Sequence, residues 1–235
     1  MNSKIKQTKG DRTILIINNI MLSVIVTCIL VPLLYVFLSS FLEPNALIRK
    51  GLALSATDWS LEGYRRILTD GTIMRGFLNS IIYSAGFTIV TVGVSILAGY
   101  TLSVDGLVGK KIFMIFFLIT MFFGGGLIPT YFVIRDLGML NTIWAIIIPG
   151  AVNVWFIILA RTYFKEIPNE LKEAAKIDGA SDFRIFISII LPLCKPIIFV
   201  LALYAFIGQW NSYFDAMIYL DNRDLYPLQL VLRSI

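Results

Sequence analysis

The stretch Ile167-Pro-Asn-Glu-Leu-Lys-Glu-Ala-Ala-Lys-Ile-Asp-Gly-Ala-Ser-Asp-Phe-Arg-Ile-Phe-Ile-Ser-Ile-Ile-Leu-Pro192 is a charged island between two apolar runs that hold no charge, Ile143 to Ala160 before it and Ile197 to Phe214 after it. Pro168 suits the first turn of a helix, and Glu170 and Glu173 lie near the positive end of its dipole. Gly179 can take the left-handed conformation that stops the helix, and Ser181 can cap a second one. Two short helices at an angle make a compact knob. Leu171, Ala174, Ala175 and the Gly179 backbone leave it small-featured and partly apolar, a shape that fits a groove on a soluble partner. The alternative is an ordinary amphipathic connector.

Outward from the knob, the same alternation of charged blocks and apolar runs continues. Further uncharged runs cover Ile14 to Leu42, Phe77 to Val104 and Ile112 to Ile134, each long enough for a membrane-crossing helix. The hydrophobic share is 57%, too high for a water-soluble surface. Five runs predict an all-α, polytopic membrane protein with five visible spans. The expected organisation is a cytoplasmic tail at 1–13, transmembrane helix 1 at 14–42, an extracytoplasmic segment at 43–76 folded as a cap of short helices, and a core at 77–235. Counted alternately, twelve of the 20 basic residues fall on the side of the tail, including Lys4, Lys6, Lys9, Arg12, Lys110 and Lys111, and eight on the other. Five of those eight lie in the long 43–76 segment, so the short loops place the N-terminus in the cytoplasm. Cys28 and Cys194 have no pairing or ligand spacing and read as packing residues.

Within the second run Ser80, Ser84, Thr88, Thr91, Ser95 and Gly99 are spaced by threes and fours on one helical face. Small side chains allow close helix approach where lipid supplies no hydrophobic drive. The face serves internal packing, a pore wall or a subunit contact. The histidine count is zero, which removes the commonest general base and zinc ligand; no catalytic and no metal residues are expected. Neither is an ATP site, since Gly106, Gly109, Lys110 and Lys111 lack the spacer and the Ser or Thr of a P-loop. No Asp, Glu, Lys or Arg interrupts any of the five runs, so an ion-coupled secondary carrier, the alternative transporter class, lacks its usual midplane charges. Active transport would draw its energy from another subunit.

The spacing Glu173-Ala174-Ala175, then Gly179, then Ile189, Leu191 and Pro192 resembles the EAA loop of ABC importer permeases. Asn79-Ser80, Pro129 with Tyr131, Leu137-Gly138 with Leu140-Asn141-Thr142, Pro149 and Trp210-Asn211 are similar to the carbohydrate-uptake permeases of the MalG type. The likeness runs from about residue 60 to the end, and the glycine-rich Phe122 to Pro129 stretch resembles the subgroup for larger or modified oligosaccharides.

The resemblance implies the transmembrane half of a type I ABC importer in a bacterial plasma membrane, taking up a sugar or oligosaccharide. A second homologous permease, a dimer of ABC ATPases and an extracytoplasmic solute-binding protein are the implied partners, with membrane lipid around them and no nucleic acid. No cofactor is expected on this chain; ATP and Mg would sit on the ATPase. The EAA loop at 167–192 would be the coupling helix, with Glu173, Ala174, Ala175, Asp178, Gly179 and Ala180 as the ATPase-coupling residues. Aromatic and amide side chains suited to a sugar path are Tyr131, Asn153, Trp155, Gln209, Trp210, Asn211 and Tyr213. Trp155 and Trp210 read equally as core or interfacial aromatics, and Asn211 as a helix-end cap. The family also implies a sixth helix, so one more apolar run is expected beyond Ile235; sequencing the gene past that codon tests this.

Overall fold

The structure is a computed structural model that describes residues 9–43 and 59–234. Lys4 and Lys6 of the expected tail, and 44–58 of the expected outer segment, lie outside the described residues. The chain divides into two compact units, residues 1–70 and 71–235.

In the first unit α1 (Lys9–Ser39) runs for 31 residues with Pro32 inside it. At 1.5 Å per residue that is about 46 Å, more than the roughly 30 Å of bilayer hydrocarbon. It starts ahead of the apolar run and carries apolar side chains all round: Ile14, Ile17, Leu33 and Val36 are all exposed, as in a helix whose solvent is lipid. Beyond it Leu42 pairs with Trp59 in an isolated antiparallel bridge, the Ser60 N–H donates to the Phe41 carbonyl at 2.8 Å, and the Ser40 and Tyr64 hydroxyls meet at 2.7 Å. Tyr64 belongs to α2 (Glu62–Thr69). Of the expected cap of short helices, α2 is the part that falls on described residues.

The second unit is organised by α3 (Gly71–Ser103), 33 residues long. It begins six residues before the apolar run, so the helix takes in residues 71–76 at the end of the expected outer segment. The third run is bent: α4 (Lys110–Phe122) and α5 (Leu127–Asp136) meet at 110°. Gly126 at the break has φ +86°, which only glycine adopts freely. The fourth run is also interrupted. The four residues of α6 (Trp144–Ile147) stop before Pro149-Gly150, and α7 (Val154–Lys165) starts afresh with the Asn153 side chain accepting from the Phe156 N–H at 3.2 Å. After α8 (Asn169–Ile177), α9 (Asp182–Leu193) bends by 75° into α10 (Lys195–Trp210). Within α9 the segment Phe186–Ile190 is π-helical. Pro192 and Pro196 lack the N–H groups that would bond back into the preceding turn, which explains both features. The chain then turns through α11 (Phe214–Tyr219), a 3₁₀ turn at Arg223–Leu225 and α12 (Leu228–Arg233). Three of the five expected runs are therefore broken or bent and not single continuous helices. Among the described residues two helices, α1 and α3, are long and apolar enough to cross alone, and the two bent pairs bring the number to four if each is one span.

α3 packs along both α7 and α10, and its small-residue face is the reason. Ser84, Thr91 and Ser95 are fully buried and Ser80 nearly so. A β-carbon at Gly99 would stand 2.7 Å from the Ala160 Cβ, 3.0 Å from the Arg161 nitrogen and 3.1 Å from the Ile157 carbonyl oxygen. Internal packing is therefore what this stripe does here. One core gathers Val92, Ile96, Ala160, Phe164, Ile185, Phe186, Ile190, Cys194 and Leu201 at the end of the unit that holds α8. A second gathers Tyr83, Ile134, Ala145, Ile146, Ala216, Tyr219, Leu220 and Leu230 at the other.

Gly99→Val should destabilise the purified permease by about 2 kcal/mol, because two helix backbones, not a flexible side chain, would have to part. Gly93→Ala is the control: on the same helix its β-carbon meets nothing within 4 Å. Thermal unfolding in detergent reads the difference, and equal midpoints for the two variants would contradict the close-approach account.

Candidate functional site

The knob at 167–192 is built by its own caps. α8 starts after Pro168 and ends in a Schellman arrangement: the Ala180 N–H donates to the Ala175 carbonyl at 3.0 Å and the Gly179 N–H to the Lys176 carbonyl at 3.0 Å. This closure requires a left-handed residue, and Gly179 has φ +79°. Ser181 then caps α9, its Oγ accepting from the Arg184 N–H at 3.3 Å. The Lys176 ammonium reaches the Asp182 carboxylate at 3.1 Å, tying the two helices across the turn; at this exposure such a pair is worth little.

The structure separates the coupling candidates. Ala175 is buried against the core containing Phe164, Ile185 and Phe186, whereas Ala174, Glu173, Asp178 and Gly179 are exposed and Ala180 is half-buried. Neighbouring residues on a helix point about 100° apart, so the two alanines cannot share a face: Ala175 seats the knob, and Ala174 is free for a partner. Two residues absent from the sequence-based set also stand out. Ile177 is 86% exposed and Phe183 71%, large apolar side chains on the outside of the most polar loop. Leu171 on α8 is a third exposed apolar side chain of the knob. The signal available in the sequence was an isoleucine and a phenylalanine among charges, out of step with the buried positions.

The seven sugar-path candidates sit in several different surroundings. Tyr131 stacks on Tyr219 with ring centroids 6.3 Å apart, and Tyr213 lies under the Arg233 guanidinium at 4.5 Å; both tyrosines pack against the second core. Burial pushes the Tyr219 phenol up, with the Asp215 charge adding to it, and burial likewise raises the Asp215 carboxyl. Trp210 is edge-on to Phe77 at 5.6 Å and stacked on Phe206 at 6.1 Å, beside the half-buried Gln209. Asn211 donates its amide to the Ile207 carbonyl at 2.9 Å, the helix-end capping role, and Asn153 caps α7. Trp155 is exposed. What organises this end is instead a set of side chains from α3. Tyr83 donates to the Leu225 carbonyl, Asn79 donates to the Asp224 and Tyr226 carbonyls, Ser80 accepts from the Leu228 N–H, and Arg75 pairs with Asp224. Asn141, itself at φ +57°, accepts from the N–H groups of Asp221 and Asn222. Of these only Asn79, Ser80 and Asn141 lie in the motif stretches quoted from the sequence.

Residues 86–218 match the family model described as binding-protein-dependent transport system inner membrane component. The polygalacturonan/rhamnogalacturonan transport system permease protein YtcP of Bacillus subtilis (strain 168) is 37% identical over 208 residues, covering 88% of this chain and 72% of that protein. Protein LplC of the same organism is 33% identical, over 97% of this chain and 77% of its own length. Among solved structures, a bacterial ABC transporter involved in the import of the acidic polysaccharide alginate superposes with a TM-score of 0.89 at 32% identity, over 98% of this chain and 82% of the other.

Ile177→Asp should lower co-purification of the ATPase about tenfold or more, as loss of an apolar anchor at a buried contact does. Its thermal midpoint should stay unchanged, since the side chain is exposed within the chain. Gly179→Asn, which tolerates the left-handed region, should keep assembly, while Gly179→Val should lose it. Normal pull-down of the ATPase by Ile177→Asp would rule out this surface as the contact.

Proposed function

This chain belongs to the family of binding-protein-dependent transport system inner membrane components and is a permease subunit of an ABC importer, and on that premise we propose that its cargo is an acidic oligosaccharide. The observation that carries the reading is that two similar proteins are named for uronate-containing polymers, polygalacturonan/rhamnogalacturonan in one and alginate in the other. A chain with a carboxylate on each sugar needs apolar faces for the rings and a cation for the acid. Tyr131, Tyr213 and Tyr219 supply ring faces, and Arg233 lies over Tyr213 while remaining exposed. The aromatic face holds the guanidinium plane, leaving its N–H edge for a bidentate carboxylate contact.

Transport in this reading runs between a solute-binding protein outside and an ATPase dimer inside, with a second homologous permease completing the path and the N-terminus in the cytoplasm. ATP and Mg bind and react on the ATPase, and this chain contributes no catalytic group. ATP-driven movement of the ATPases shifts the knob as a rigid body, because its two helices are closed by their own caps and by Ala175. The shift passes through α9 and the π-helical segment into α10, whose outer end carries Gln209, Trp210 and Asn211. Ala174, Asp178, Gly179 and Ala180, with Ile177 and Phe183, form the receiving surface, and Glu173, named with them from the sequence, lies on the wall of a cavity behind the knob.

Proteoliposomes holding the complete importer should accumulate oligogalacturonate only with internal ATP and external binding protein, and should continue after ionophores collapse the ion gradients. Arg233→Gln should raise the half-saturating oligogalacturonate concentration about tenfold, the loss of one charged bidentate contact. Neutral maltotriose taken up in preference to the uronate would overturn the acidic assignment, and loss of uptake under ionophore at constant ATP would overturn the energy source.

A further inference from the structure

A cavity of about 430 Å³ lies behind the knob, lined by Tyr100, Thr101, Asp105, Lys172, Glu173 and Asp182 among others. A second, of about 340 Å³, opens between α3 and α4 and is lined by Leu97, Ala98, Thr101, Leu107, Phe113 and Phe117 among others. Thr101 and Leu107 line both. The two cavities therefore adjoin at Thr101 and Leu107, one polar and at the knob, the other apolar and between the helices, at the end of the bundle where α3 ends and α4 begins, and together they offer an amphipathic surface. From this adjacency and its charges we propose that the groove is a binding site for one phosphatidylethanolamine molecule.

The charges select the headgroup. Lys110 is engaged by the carbonyls of Ser103 and Val104 and by Asp105 at 3.5 Å, and Lys176 by Asp182 at 3.1 Å. Lys172 and Glu173 are left on the cavity wall as one cation and one anion. Lys172 reaches only the Asn169 side-chain oxygen, at 3.4 Å, and neither residue has an ion-pair partner among the described residues. A zwitterion meets this pair: its phosphate on the Lys172 ammonium, its own primary ammonium on the Glu173 carboxylate with N–H donors to share. A purely anionic headgroup would leave the Glu173 carboxylate facing its charge with no cation to spare, since Lys110 and Lys176 are already paired, and a quaternary ammonium has no N–H to donate. The apolar half of the groove favours a lipid over a soluble partner, because Phe113 and Phe117 lie on α4, the first half of an uncharged run, beside the bilayer-length α3, where an acyl chain reaches and a cytoplasmic protein does not. Bound there, the lipid joins α3, α4 and α8 through one molecule, so the knob's seat depends on the membrane's headgroups.

The test is lipid retention by the assembled importer, ATPases included, purified in mild detergent and read by native mass spectrometry with lipid extraction. About one phosphatidylethanolamine per copy of this chain is expected to remain. Ala98→Phe, which fills the apolar half, and Lys172→Gln, which removes the phosphate contact at a half-buried position, should each reduce retention about tenfold. Ile89→Phe, on the same helix at a side chain 74% exposed, should leave it unchanged. After delipidation, added phosphatidylethanolamine should rebind in preference to phosphatidylcholine and phosphatidylglycerol. Unchanged retention in Lys172→Gln, equal rebinding of phosphatidylcholine, or retention by the permease alone that disappears once the ATPases assemble would each overturn the site. Retention is measured without any sugar, so its failure leaves the cargo assignment untouched.

Discussion

The contact on which the second unit depends is the approach of α3 to α7 at Gly99, where an added β-carbon would lie 3.0 Å from one backbone atom of α7 and 3.1 Å from another. Helices in lipid gain little from burying apolar side chains against each other, since the acyl chains are as apolar as leucine. Close packing has to hold them, and it needs small residues. Ser84, Thr91, Ser95 and Gly99 provide the width, and Val92, Ile96, Ala160 and Phe164 fill the space beside them. The hydroxyls of Ser84, Thr91 and Ser95 are fully buried with no hydrogen-bond partner. Such groups cost about 1–3 kcal/mol each, so the seam is chosen for its dimensions and not for polar bonding.

From that seam the knob inherits its position. α7 leads into it and α10 leads out of it, and both are held by α3. Within the knob, caps replace tertiary contacts: the Schellman closure at Gly179, the Ser181 cap and the inward Ala175 make a small rigid body on the end of a larger one. The bend at Pro192 and the π-helical turn before it lie between this body and α10. Local geometry that departs from the regular helix thus falls where a rigid shift would have to be converted into movement of a span.

At the opposite end the order is different. There the polypeptide from Tyr219 to Leu228 follows no regular helix for long, and its backbone groups are satisfied by side chains from α3 and from the 138–142 turn. Asn79, Ser80, Tyr83 and Asn141 are therefore structural supports of the loop that carries Tyr219 and leads to Arg233. Candidate cargo contacts such as Tyr219 rest on this scaffold, while the amides of Asn153 and Asn211 hydrogen-bond at the ends of their own helices.

The sequence alone carried the class of the molecule and the knob. Uncharged runs longer than a bilayer is thick and a Pro-Glu-Ala-Ala-Gly-Ser order of caps are local properties, decided by residues close in the chain, and periodicity alone put the small residues of α3 on one face. The partner of that face was not legible, because a packing face, a pore wall and a subunit contact have the same spacing; Ala160 and the Ile157–Arg161 backbone at Gly99 decide it. The breaks at Gly126 and Pro149 were visible as residues, yet hydropathy does not record direction, so a run bent by 110° reads the same as a straight one. The same limit holds for Ala174 and Ala175, adjacent in sequence and divided by the helix's turn, and for Thr101 and Leu107, which line two cavities at once. Composition and local caps act within a few residues; faces, bends and grooves are relations between distant segments, and only the tertiary structure supplies them.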